Sequence, residues 1–131
     1  MTAPGHGAIL WAQTKVAEDR VVAGGAMLVL TTCASTEEAG RLAATLVGDR
    51  LAACVNSFSS VLSTYRWQGA VHTDQEVLLL IKTTEERLAA VEAAIRAQSG
   101  YELPECITVR VEGGTPAYLK WLADAVAEQG V

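Results

Sequence analysis

From Met27 onward the apolar positions fall into blocks whose spacing alternates between the period of a strand and that of a helix. Met27 to Thr32 is a short apolar run of strand formers. It stops at Ser35, where Ser-Thr-Glu-Glu supplies an N-cap serine with Glu38 three residues on, the pattern of a capping box. Ala39, Leu42, Ala43, Leu46 and Val47 then recur at helical spacing, and Gly48 is expected to close the helix. Leu51 to Trp67 has no helical period and is rich in Val, Ser, Thr and aromatics; Gln68-Gly69 reverses the chain before Val71 to Thr83, so the spacing predicts a long hairpin. In its returning arm Val77, Leu79 and Ile81 face one way and Leu78 and Leu80 the other, which predicts protein on both sides of the sheet.

Thr83 and Glu86 repeat the capping-box spacing, and Leu88, Val91, Ala94 and Ile95 give the second helix one apolar stripe. Ile107, Val109 and Val111 alternate with Thr108, Arg110 and Glu112, as in a strand with one wet face. Thr115 and Pro116 open a last helix with Leu119, Leu122, Ala123 and Val126 inward. Shifting the chain by 48 residues lays Ser35-Thr36-Glu37-Glu38 over Thr83-Thr84-Glu85-Glu86, so each half reads strand, capped helix, strand. The expected class is α+β: a ferredoxin-like βαββαβ sandwich with an antiparallel sheet, a long hairpin between its second and third strands, and a C-terminal helix. Both crossing helices lie on one face of such a sheet, leaving the other to bind a ligand, a partner or a second copy.

At 131 residues the chain supports one domain. Residues 27–131 carry it, and residues 1–26 read as an N-terminal extension with Pro4, Gly5, Gly7 and Gly24-Gly25 around a faint helical spacing of Ile9, Ala12 and Val16. That segment lacks the basic start and sustained apolar stretch of a secretory signal; Met27 is a candidate native start, and an arm packed on a neighbouring subunit is the other reading. Half the residues are apolar and 19% charged, which excludes intrinsic disorder and suggests apolar surface shared between subunits. A formal charge of −5 disfavours nucleic acid, and apolar runs of about five residues are far short of a membrane span. Cys33, Cys54 and Cys106 form no C-x-x-C pair and read as reduced thiols of a cytoplasmic protein.

No phosphate loop, H-E-x-x-H, G-x-S-x-G or EF-hand loop is present, and the chain is read as a non-enzyme. The candidate chemistry lies in Tyr65, Arg66 and Trp67 at the hairpin tip, in His72, Asp74 and Glu76 on the returning arm, and in Tyr101-Glu102-Leu103-Pro104-Glu105. Asp74 and Glu76 share a strand face, where they suit a cation or an acid/base pair, or else the solvated end of a hairpin and paired charges at a subunit contact. Cys54 is a small packing residue or a soft ligand for copper. With His6 and His72 the only histidines, a metal site must borrow carboxylates, thiols or other subunits.

Five segments together resemble the CutA divalent-cation tolerance family: Leu51 to Asn56 (LAACVN), Tyr65 to Gly69 (YRWQG), Asp74 to Thr84 (DQEVLLLIKTT), Tyr101 to Glu105 (YELPE) and Ala117 to Leu122 (AYLKWL). The resemblance implies a cytoplasmic homotrimer whose long hairpins reach across to neighbours, a link to tolerance of Cu²⁺ or another divalent cation, and no attached reaction. It places Cys54, Asn56, Tyr65, Trp67, Asp74, Glu76, Lys82, Tyr101, Glu102, Pro104 and Glu105 along clefts between subunits. Among these Glu102, Glu105, Asp74, Glu76 and Cys54 are the candidate metal ligands, with Lys82 balancing their charge and no metal required for folding. Copper-binding relatives carry a cysteine and a histidine pair where this chain has Thr31, Gln98 and Ser99. The alternative is a PII-like trimeric signalling module holding a small molecule or nucleotide between subunits, although few basic residues are available to meet phosphate.

Overall fold

The computed structural model describes residues 21–22 and 25–128; the expected helical face of Ile9, Ala12 and Val16, and His6, lie outside them. The strands are β1 (Val21–Val22), β2 (Ala26–Cys33), β3 (Cys54–Trp67), β4 (Ala70–Thr84), β5 (Ile107–Arg110) and β6 (Gly113–Gly114), and the helices α1 (Thr36–Gly48), α2 (Leu88–Gln98) and α3 (Pro116–Val126). The main sheet runs β3-β4-β2-β5, every pair antiparallel, and β1 pairs separately with β6. Because β4 lies between β2 and β3, the connection through α1 is a split β-α-β crossover, and the βαββαβ order is as the sequence predicts.

The core follows from strand parity. Met27, Val29, Thr31 and Cys33 on β2, and Val77, Leu79, Ile81 and Thr83 on β4, are all buried, and the register sets each opposite a member of the other group. Ala39, Leu42 and Leu46 of α1 and Val91 and Ile95 of α2 complete this layer. The even-numbered Leu28, Leu30, Leu78 and Leu80 point to the opposite face, where they are half-buried. That face continues across Phe58 on β3 and Ile107 and Val109 on β5, opposite Leu78, Leu30 and Leu28 respectively.

Ser35 caps α1 as expected, its Oγ accepting the Glu38 N–H at 3.1 Å. Gly48 is not the stop: it is the last helical residue, and Arg50 takes the left-handed position at φ 60°. The N–H groups of Arg50 and Leu51 donate back to the Val47 and Leu46 carbonyls. The second capping box does not form either. Thr83 is fully buried in β4 and donates its hydroxyl to the Leu51 carbonyl at 2.6 Å, while a 3₁₀ turn over Glu85–Arg87 leads into α2 without a side-chain cap. A buried hydroxyl must find a partner, and here that need takes Thr83 away from the helix. On β5, an edge strand, all four residues are exposed within one chain. α3 begins at Pro116 and buries Leu122 and Val126, whereas Ala123 is exposed. Among the described residues no helix is long and apolar enough to cross a membrane.

Candidate functional site

The hairpin carries a defect that decides which side chains meet. Asn56, Ser57 and Phe58 pair with Leu80, Leu79 and Leu78, but the next pair is Val61 with Glu76, so Ser59 and Ser60 face the single residue Val77. This is a β-bulge, with Ser60 at φ 60°. One extra residue flips strand parity beyond it. The odd-numbered Ser63, Tyr65 and Trp67 therefore share a face with the even-numbered His72, Asp74 and Glu76, and with Thr32 of β2.

Against that face lies the Tyr101–Glu105 segment, and the two enclose a cleft of about 600 Å³. Tyr65, Trp67 and Tyr101 supply aromatic walls, Glu76, Glu102 and Glu105 supply carboxylates, and Thr32, Ser63, Thr64 and Leu103 fill the gaps; no Lys, Arg or His lines it. The Tyr101 hydroxyl donates to Glu76 Oε2 at 2.6 Å, bridging segment and hairpin. Burial first, and this hydrogen bond second, hold the Tyr101 phenol well above its usual pKa. The Glu105 carboxyl is also pushed up, by burial and then by the Glu76 charge. Tyr65 donates its hydroxyl to Asp74 and stacks on His72 with ring centroids 5.6 Å apart.

The segment is held by residues at two of the three positions, Thr31, Gln98 and Ser99, that the sequence resemblance singles out. Thr31, 1% exposed, donates its hydroxyl to the Glu105 carbonyl at 2.6 Å, and Ser99 Oγ accepts the Tyr101 N–H at 3.0 Å. Gln98, at the third, donates to Thr45 Oγ1 at 2.9 Å and so ties α2 to α1. The Thr31 and Gln98 contacts went unread in the sequence because their partners, a backbone carbonyl and a side chain, lie 74 and 53 residues away, where no local motif marks them.

Of the sequence-derived set, Tyr65, Trp67, Glu76, Tyr101, Glu102 and Glu105 come together, and Asp74 joins them at one remove through Tyr65. Four do not. Cys54 and Lys82 stand opposite each other, six residues along β4 from Glu76 or about 20 Å away. Asn56 is exposed opposite Leu80, and Pro104 is half-buried outside the lining. Within one chain Lys82 stands apart from these carboxylates: its Nζ lies 3.3 Å from the Tyr118 hydroxyl and 5.6 Å from the centre of that ring. The five proposed metal ligands do not converge within one chain, and among the described residues no three His, Cys, Asp or Glu side chains are grouped to hold a metal ion. Glu76 is engaged by Tyr101, Asp74 by Tyr65, and the one thiol is at the far end of the sheet. Cys33 offers no substitute, because burial, with Glu38 nearby, pushes its thiol to about 12. A single chain thus presents a negatively charged, aromatic-walled cleft without an activated nucleophile and without a closed metal site.

The family model described as CutA1 divalent ion tolerance protein matches residues 27–125. The chain is 42% identical over 97 residues to the divalent-cation tolerance protein CutA of Thermus thermophilus, covering 74% of this chain and 94% of that one. It is 39% identical over 113 residues to a CutA homolog of Xenopus laevis, covering 86% of this chain and 75% of the relative. The crystal structure of CutA from Xylella fastidiosa superposes with a TM-score of 0.77 at 40% identity, over 79% of this chain and 99% of that one.

Proposed function

The chain belongs to the CutA1 divalent ion tolerance protein family, a family of tolerance proteins and not of enzymes, and from that premise we propose that it acts in the cytoplasm as a homotrimer in the response to divalent cations, copper among them. In this reading residues 27–131 are the working domain, and the cleft of Tyr65, Trp67, Glu76, Tyr101, Glu102 and Glu105 lies between subunits. A neighbour's groups complete there what one chain leaves open. The cation is a ligand and not a structural requirement.

One observation carries the reading: the sheet face away from α1 and α2 is apolar and, beyond the end that α3 crosses, uncovered within one chain. Phe58 is 49%, Ile107 53% and Val109 44% exposed, continuous with half-buried Leu28, Leu30, Leu78 and Leu80. Patches of this kind on a small chain mark an interface. The PII-like alternative draws no support from the cleft, where a nucleotide phosphate would meet three carboxylates and no cation.

Sedimentation equilibrium at micromolar concentration tests the assembly. A species of three times the 13.8 kDa chain mass is expected, dissociating in Val109→Asp; a compact species of single-chain mass overturns the reading. Calorimetric titration with Cu²⁺ and Zn²⁺ tests the cleft. Binding heat that survives Glu102→Ala/Glu105→Ala, or no heat from the unaltered protein, removes the metal from this place.

A further inference from the structure

A second groove, of about 740 Å³, lies at the other end of the sheet, where β2 begins, β4 ends and α3 crosses them. Its α3 side is apolar, with Leu119 half-buried, Ala123 and Ala127 exposed and Leu122 and Val126 beneath. Glu85, Glu86, Asp124, Glu128 and Arg87 stand at its rim; Glu85 is paired with Arg110, Asp124 with Lys120 and Glu128 with Arg87, and among the described residues Glu86 is the rim carboxylate without an ion pair.

The chain's own N-terminal segment arrives beside this groove. Gly25, at φ 114°, turns the backbone out of the line of β2, and its carbonyl accepts the Glu85 N–H. Val21 and Val22 then pair with Gly114 and Gly113, antiparallel, so residue 21 stands beside the residue that precedes Thr115 and Pro116. Backbone pairing of this kind is a strand addition, here within one chain. The 20 residues before Val21 therefore start from the N-terminal end of α3. α3 has 11 residues and is about 16 Å long, whereas 20 residues span about 30 Å even as a helix. Among their apolar residues Ile9, Ala12 and Val16 recur at helical spacing, and Lys15, in a segment that also holds Glu18, Asp19 and Arg20, is a cation that Glu86 can meet.

We propose that residues 1–20 form a strap that folds back along α3 of the same chain, seating Ile9, Ala12 and Val16 over Leu119, Ala123 and Ala127 with Lys15 against Glu86 at the rim. β1 is the anchor of this strap. The groove is then an intramolecular seat, independent of the cleft and of the sheet face assigned to other subunits.

Zero-length carbodiimide coupling of the full chain, assembled from mixed unlabelled and ¹⁵N chains and read by peptide mapping, tests it. The expected product joins Lys15 to Glu85, Glu86, Asp124 or Glu128 within chains of one label. Links between differently labelled chains, in the share that random mixing gives, mean the seat belongs to a neighbouring copy and overturn the proposal; so does no Lys15 link at all. Hydrogen exchange on the full-length Ile9→Glu/Val16→Glu variant is the second arm. Amides of residues 84–87 and 119–127 are expected to exchange about tenfold faster than in the unaltered chain. Unchanged exchange there overturns the strap.

Discussion

Replacing Thr31 by Val probes how the cleft is held. The two side chains have nearly the same shape, and Thr31 is 1% exposed on the central strand, so packing is retained while one donor disappears. What is lost is the 2.6 Å hydrogen bond to the Glu105 carbonyl, which joins residues 74 apart in sequence. A bond of this kind contributes a net ~1 kcal/mol, and stranding a partly buried acceptor costs about 1–3 kcal/mol. Removing the buried hydroxyl and the slightly better strand propensity of Val offset part of this, by a few tenths to about 1 kcal/mol. The expected net loss is about 1–2 kcal/mol, or roughly 3–8 °C in the melting temperature of a chain this size. Urea unfolding and thermal melts at one fixed protein concentration measure it, since melting of an oligomer depends on concentration. Thr31→Ser, which keeps the donor, is expected to recover the amide-exchange protection of residues 101–105 that Thr31→Val loses. A Thr31→Val protein as stable as the original, with that segment equally protected, refutes the claim that this hydroxyl positions the cleft.

Ser35→Ala is expected to destabilise the protein by about 1 kcal/mol through loss of its bond to the Glu38 N–H, while Thr84→Ala, at a helix entry without a side-chain cap, is expected to change little; paired urea titrations compare them. Ser60→Gly is expected to stabilise by up to about 1 kcal/mol by relieving a left-handed backbone, and deleting Ser60 is expected to turn Tyr65 and Trp67 away from Glu76, visible as a change in tryptophan fluorescence. Because the folded-state pKa of Glu105 is raised, the native protein binds more protons than the unfolded chain between the ordinary carboxylate range and that higher value. Its contribution to stability therefore falls as pH rises through this window, and Glu105→Gln is expected to flatten that part of the curve measured by pH-dependent denaturation. Cys33, buried and with its thiol at about 12, is expected to resist iodoacetamide at pH 8 until the protein unfolds, as intact mass before and after denaturation reports.

The sequence by itself determined what depends on neighbours a few residues away. Strand and helix periods placed β2, α1, α2 and α3, Gln68-Gly69 marked a reversal whose two residues both take positive φ, and Ser35 capped α1. Five segments also carried enough shared identity to name the family. Tertiary structure decided the rest, because those choices balance energies between residues far apart. The sequence resemblance of Thr83 to a helix cap lost to the cost of burying an unpaired hydroxyl, which Leu51's carbonyl meets. The bulge at Ser59 and Ser60 is set by how two long strands pair, and it alone puts Tyr65 and Trp67 on the side of Glu76. Cys54 and Lys82 stand far from Glu76 within one chain, since a strand carries residues about 3.4 Å farther with each step and does not fold them back together.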